Sequence, residues 1–378
     1  MHRIENLITG LCPNGVPFTD IKSVAEVGTG SSNGNEADEN GLYPFFIRSK
    51  TVKLKCSYEY DEEAIIIPGE GGVGEIFHYI NGKYALHQRV YRIHFTEPSI
   101  DTRFVYYYME AFFKKFILRK AVSATVTSIR KPMIESIQIP VPPLEVQQEI
   151  VRILDHFTEL TAELTAELTA RKEQYIYYRN RLLAPTSQST WMTLGDIGKV
   201  AMCKRIMKAE TSPSGDVPFY KIGTFGKEPD AYISKAKYEE YRSKYSFPKK
   251  GDILISAAGT IGRTVIYDGE PAYYQDSNIV WVENDESIVL NRYLYYYYQL
   301  QPWSVSTGGT IARLYNDNIS KARISVPPLP EQRRIVSILD RFDALCNDLT
   351  SGLPAEIAAR QKQYEYYRDK LLTFKERV

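Results

Sequence analysis

Pro142-Pro143-Leu144-Glu145-Val146-Gln147 recurs as Pro327-Pro328-Leu329-Pro330-Glu331-Gln332, an offset of 185 (327 − 142). Ile150, Leu154-Asp155 and Phe157 follow the first copy, and Ile335, Leu339-Asp340 and Phe342 follow the second at the same offset. The chain is therefore a duplicated unit. After each proline pair, apolar residues fall three and four apart. The first stripe runs through Ile150, Phe157, Leu160, Leu164 and Leu168; the second runs through Ile335, Phe342, Leu345, Leu349 and Ile357. Such spacing places one narrow apolar face on a long helix, as in a coiled-coil seam. Proline at the start suits a first helical turn, where its missing N–H has no partner to lose. The run from Glu145 to Leu183 predicts a rod of roughly 58 Å at about 1.5 Å per residue. Its stripe needs a cover, and the other copy packed antiparallel is the simplest one.

Thr161-Ala162-Glu163-Leu164 repeats as Thr165-Ala166-Glu167-Leu168 inside the first rod. A four-residue repeat overruns a helical turn by only about 40°, so its leucines stay on one side, and each copy lengthens the rod by about 6 Å. The matching tails Tyr177-Tyr178-Arg179 and Tyr366-Tyr367-Arg368 lie at an offset of 189. The second rod thus carries four extra residues near Thr350-Ser351-Gly352-Leu353, followed by Pro354, where a kink or break is expected.

The 378 residues, 43% apolar and 25% charged, suffice for two or three cores. No apolar run approaches membrane-spanning length and the N-terminus lacks a signal-peptide pattern, which predicts a cytoplasmic protein with no membrane partner. Four scattered cysteines without a Cys-x-x-Cys pair argue for a reducing compartment and against structural zinc. Sixteen Lys and Arg face sixteen Asp and Glu over residues 1–135, and fifteen face fifteen over 186–320. Bulk charge does not announce nucleic acid, so any basic surface must come from arrangement.

In order, the chain reads as a globular domain over 1–141, a rod over 142–185, a second globular domain over 186–326 and a second rod over 327–378. In the first domain, strands are expected at Ile21–Val27, Phe45–Ile47, Ala64–Ile67, Ile76–Ile80 and Val90–Phe95, with Asn81-Gly82 as a hairpin turn. A helix is expected over Arg103–Arg119. The second domain repeats the order loosely, with Pro218-Phe219 answering Pro44-Phe45 and Tyr295-Tyr296-Tyr297 answering Tyr106-Tyr107-Tyr108.

Gly69-Glu70-Gly71-Gly72-Val73-Gly74 fits a dinucleotide-loop pattern, but strand-like residues follow it, so it reads as a turn. Gly30-Ser31-Ser32-Asn33-Gly34 fits a nucleophile elbow without the required strand and helix around it. The five histidines show no ligand spacing, and no nuclease or Walker motif is present, so neither a catalytic residue nor a metal site is assigned. The tyrosine runs read as packing more readily than as base-stacking platforms. The loops before the rods hold polar and basic groups suited to phosphates or base edges. They are Arg119, Lys120, Thr125, Thr127, Ser128, Arg130 and Lys131 in the first domain, and Thr307, Gly308, Gly309, Thr310, Arg313, Tyr315 and Asn316 in the second. These are the candidate DNA-binding residues. A solvated loop is the alternative for each.

On the paired rod starts, the Thr-Ala-Glu-Leu copies and the tails at Gln174 and Gln363, the chain resembles the specificity (S) subunits of Type I restriction-modification systems. The resemblance covers nearly the whole length. It implies an α+β fold with two similar globular α/β target-recognition domains separated by two long antiparallel helices, a coiled coil, in an internal pseudo-twofold repeat. It also implies a subunit without chemistry of its own. Each domain would read half of a split target in double-stranded DNA, while the rods set the spacer and dock methyltransferase (modification) subunits. Endonuclease/translocase (restriction) subunits complete such complexes. No cofactor is expected in this subunit, and S-adenosylmethionine, ATP and Mg are expected on the partner subunits. The competing expectations are a standalone DNA-binding protein or a nuclease with a helical dimerisation stalk.

Overall fold

The chain is described by a computed structural model covering residues 2–72, 74–120, 128–305 and 312–377, with 118–120 described by their backbone alone. It divides into two compact units, Met1–Thr165 with Glu356–Val378 and Ala166–Ala355. Each unit therefore joins one globular domain to the first half of one rod and the second half of the other.

In the first unit, six strands form one sheet in the order Ala25–Thr29, Val90–Phe95, Tyr60–Pro68, His78–Leu86, Tyr43–Phe46, Lys53–Lys55. Ile65, Ile67 and Ile93 face a core shared with Phe104, Val105 and Phe113 of the helix Thr102–Lys120. Leu371 and Leu372 at the end of the last rod helix enter the same core, and Phe374 meets the edge of Phe104. A small pair, Phe18–Asp20 with Gln138–Pro140, leads into the first rod.

Two local expectations are corrected here. Ile21–Val24 is a helical turn, and the strand starts at Ala25. Asn81-Gly82 is no turn: it lies inside the strand His78–Leu86, with Gly82 opposite Glu62. Continuing the strand buries Tyr84, Ala85 and Leu86 completely, and a turn at Gly82 would forgo that burial.

The second unit repeats this plan with a divided sheet. The place of His78–Leu86 is taken by two short strands, Thr264–Ile266 and Tyr273–Tyr274, separated near Gly269. As a result Lys199–Ala201, Ile279–Glu283, Ile253–Ser256 and Thr264–Ile266 form one sheet, while Tyr232–Ile233, Val217–Tyr220 and Tyr273–Tyr274 form another. Both sheets place strands against Trp281, whose side chain is fully buried. The helix Asn291–Tyr298 corresponds to Thr102–Lys120, and Tyr293, Tyr296, Tyr297 and Tyr298 are all buried, so this run packs the core.

The first rod is one helix, Leu144–Leu182, of 39 residues. The second is broken into Leu329–Asn347 and Leu353–Leu372, at the expected place. Asp348 holds the break: its carboxylate accepts from the Thr350 N–H at 2.7 Å and from the Ser351 hydroxyl at 2.5 Å, which keeps its pKa well below the usual range. In the first unit, Phe157 stacks on Tyr367 with ring centroids 5.7 Å apart; in the second, Tyr178 stacks on Phe342 at 5.6 Å. Partner numbers fall as those of the first rod rise, which is antiparallel pairing.

Part of the stripe is covered differently from the sequence expectation. Ile150 and Ile335 are buried in the domain cores, so the globular domains cover the first turns of both rods. Phe157, Leu160, Leu164, Leu168, Phe342 and Ile357 are half-buried. Leu345 is 38% exposed, and Leu349, beyond the helix end, is 79% exposed; Cys346 takes the buried position instead. The break after Asn347 turns the chain out of register with the stripe, which removes Leu349 from the seam.

Candidate nucleic-acid interface

The duplicated rod start holds each domain in place. Gln147 is almost wholly buried, donates from Nε2 to the carbonyls of Ser99 (2.9 Å) and Pro142 (2.7 Å), and accepts on Oε1 from the Asp101 N–H (2.9 Å). Gln332 repeats this set, donating to the carbonyls of Ile288 (2.8 Å) and Pro327 (2.8 Å) and accepting from the Leu290 N–H (2.9 Å). Two turns on, Asp155 accepts from Arg103 at 2.7 Å and from the Tyr107 hydroxyl at 2.5 Å. Asp340 accepts from Arg292 at 2.6 Å and from the Tyr296 hydroxyl at 2.5 Å. Burial and the adjoining carboxylate push both tyrosines far above their usual pKa, so they remain neutral donors. The glutamine that made the motif recognisable is thus a clamp between domain and rod.

The loop before each rod is anchored alike. The Ile129 N–H donates to the Gly69 carbonyl at 2.7 Å, and the Leu314 N–H donates to the Ala257 carbonyl at 2.9 Å. Glycines at positive φ shape both turns, Gly71, Gly72 and Gly74 in one and Gly259 and Gly262 in the other. The glycine-rich stretch is therefore a turn holding the pre-rod loop.

Beside these anchors the two domains differ. In the first, a hollow of about 310 Å³ is lined by Gly34, Ile47, Arg48, Glu70, Gly71 and His87. Glu70 pairs with Ser128 across an isolated β-bridge. Its carboxylate accepts from Arg89 at 2.9 Å and Arg48 at 3.0 Å, interactions that lower its pKa. Burial first, then the charges of Arg48 and Arg89, lower the pKa of His87 and favour its neutral form. In the second domain, a hollow of about 440 Å³ is lined by Met202, Ser277, Arg313, Tyr315, Asn316 and Asp317 among others. A second hollow shares Met202 and adds Lys204, Arg205, Tyr245 and Asp276. Arg313 is held there by the Ser277 carbonyl (2.8 Å) and the Asn278 side chain (3.2 Å), while Arg205 pairs with Asp276 at 2.8 Å.

The candidate residues are placed unequally. Ser128 sits at the Glu70 bridge, Arg130 is exposed at the start of the short helix Lys131–Glu135, and Lys131 pairs with Glu135 at 3.7 Å. Arg313, Tyr315 and Asn316 share one hollow, with Tyr315 exposed. Thr125, Thr127, Thr307, Gly308, Gly309 and Thr310 lie outside the described residues, as do the side chains of Arg119 and Lys120. Arg48 and Arg89 at Glu70 in the first domain, and Lys204, Arg205 and Tyr245 at one hollow of the second, are not among the sequence candidates, because each set comes from separated segments that meet only in the fold. Among the described residues, no group of three or more His, Cys, Asp or Glu side chains could hold a metal ion, and no helix is long and apolar enough to cross a membrane.

Comparison with known proteins agrees with this duplicated plan. The family model of the Type I restriction modification DNA specificity domain matches residues 13–173 and again 188–359. A putative type I restriction enzyme specificity subunit of Haemophilus influenzae is 49% identical over 347 residues, 89% of each chain. The Type I restriction enzyme EcoR124I/EcoR124II specificity subunit of Escherichia coli is 33% identical over 260 residues, 64% of this chain and 63% of that one. A crystal structure of a Type I restriction-modification S subunit from M. genitalium aligns with a TM-score of 0.62 at 16% identity, covering 95% of this chain and 96% of that one. At that identity the likeness concerns the fold alone. Two matches of one family model along a single chain, with a relative of 49% identity over most of its length, establish that the chain belongs to the type I restriction-modification specificity subunits and carries two target-recognition domains.

Proposed function

We propose that the chain is the non-catalytic DNA reader of a methyltransferase and endonuclease complex in the cytoplasm, with each domain reading one half of a bipartite duplex target. The observation that carries this reading is the repeated clamp. Gln147 and Asp155 seat the first domain by the same bonds with which Gln332 and Asp340 seat the second, while the hollows beside the pre-rod loops are lined by different residues. Equal mounting with unequal surfaces suits an asymmetric target whose halves lie at a set spacing. Side chains at the groove would supply sequence, and lysines and arginines would supply salt-dependent affinity.

The rods fit the second role, docking of methyltransferase subunits. Arg171 bonds Gln174 at 3.0 Å beside Tyr177, and Arg360 bonds Gln363 at 3.2 Å beside Tyr366. Tyr177 is 58% exposed and Tyr366 63%. An exposed aromatic kept in the same setting in both copies suits two copies of one partner. S-adenosylmethionine, ATP and Mg would then sit on the methyltransferase and restriction subunits, with the chemistry there as well. The test is genome-wide mapping of methylated bases in cells with and without this chain and its partner subunits. A two-part motif present only with the chain is the expected result; an unchanged methylation pattern contradicts the reading.

A further inference from the structure

The two domains are built on corresponding strands, and one segment between those strands differs in kind. Tyr43–Phe46 and Val217–Tyr220 correspond, each pairing in parallel with the strand that ends the equivalent region, Phe45 with Ala85 and Phe219 with Tyr273. Tyr60–Pro68 and Ile253–Ser256 also correspond, pairing antiparallel with Val90–Phe95 and Ile279–Glu283 respectively. Between them the first domain has residues 47–59, whose Lys53–Lys55 forms the sheet edge. The second has residues 221–252, which carry a short strand and the helix Lys235–Lys244.

Charge is divided along the same line. Residues 47–59 hold four Lys and Arg against one acid, and residues 221–252 hold eight against five, a surplus of three in each. Since the counts over 1–135 and 186–320 are each balanced, the remainder of both stretches carries a deficit of three. The neutral totals conceal two cationic inserts on two acidic scaffolds.

Both inserts also border the hollows beside the rod loops. Ile47 and Arg48 line the hollow at Glu70, which is bridged to Ser128. Tyr245 and Ser246 line the hollow at Lys204 and Arg205, which adjoins that of Arg313 through Met202. Lys204 lies 5.2 Å from the centre of the exposed Tyr245 ring, presenting a cation and an aromatic face together. Within the first insert, Arg48 and Lys55 are tied to Glu70 and Glu36, while Lys50 and Lys53 stand exposed. Within the second, Lys235, Lys237 and Lys244 pair with acids, while Lys227, Lys249 and Lys250 stand exposed.

We propose that residues 47–59 and 221–252, which differ in length and build, are the DNA-gripping arms of the two domains. This rests on the reading of the chain as a two-domain DNA reader. Lys50 and Lys53 in one arm, and Lys249 and Lys250 in the other, pair with backbone phosphates. Each lysine–phosphate pair removed lowers the slope of log affinity against log salt by about 0.9.

The test uses the complex with its methyltransferase partner and a fluorescein-labelled duplex bearing the mapped target, titrated at several salt concentrations. Lys50→Gln/Lys53→Gln and Lys249→Gln/Lys250→Gln should each lower the slope by about two and weaken binding at low salt by on the order of tenfold to a hundredfold. Lys22→Gln/Lys199→Gln removes two exposed lysines from the scaffolds and should change neither quantity. Insert variants that bind like this control would overturn the inference while wild-type recognition still stands. A wild-type complex that binds target and scrambled duplex equally would overturn the parent reading as well.

Discussion

The first and second units share their mounting and differ in their outer segments. Gln147 and Gln332 make the same three bonds, and Asp155 and Asp340 the same pair of bonds, at residues 185 apart. Farther along the rods, the Tyr364 hydroxyl donates to the Glu110 carboxylate at 3.3 Å, where the Tyr175 hydroxyl donates to the Gln299 side chain at 2.8 Å. Charge at this position changes between the units while the geometry stays. The outer segments change in length, secondary structure and sheet organisation. A duplicated chain thus contains its own comparison: what both copies retain serves the mounting, and what they do not retain is available for reading different sequences.

Removing the clamp should break this correspondence most severely. Gln147→Ala and Gln332→Ala each remove three hydrogen bonds, two to carbonyls and one from an N–H, a loss of roughly 3 kcal/mol in either unit. Chemical denaturation should give similar losses for the two. A loss confined to one would separate mountings that the bonding makes equivalent.

The rods offer the next contrast, since one is continuous and the other broken. A Cβ at Gly352 would lie 2.5 Å from the Ala344 carbonyl oxygen. Gly352→Ala should therefore destabilise the second unit by about 2 kcal/mol, measured by denaturation. The smallest effect is expected at Asp348. Its bonds from Ser351 and Thr350 hold the folded pKa below the ordinary carboxylate value, so its contribution is present above that value of about 4 and fades as pH falls through the folded one. The Tm difference between the wild type and Asp348→Ala should be constant from pH 7 to pH 5 and shrink below about pH 4.

The rods were legible because helical periodicity is local: nearest neighbours in the stripe are three and four residues apart. The break was legible for the same reason, from four inserted residues and Pro354. Leu349 misled because the stripe was continued past Asn347, where Asp348 turns the chain instead. Gln147 was visible as a motif, yet its partners at Ser99 and Asp101 lie more than 40 residues away, and spacing along the chain cannot disclose them. Asn81-Gly82 has turn chemistry that burial of the following Tyr84–Leu86 overrides. The surface hollows were least legible. Balanced totals hid the charge surplus of residues 47–59 and 221–252, which emerges only when corresponding strands define where to count.

The most direct measurement is the methylation motif of the reconstituted complex before and after deletion of Thr165–Leu168. Those four residues amount to about 6 Å and 40° of a continuous helix. The account predicts the same two half-sites at a changed separation. Altered half-sites across an unaltered gap would contradict it.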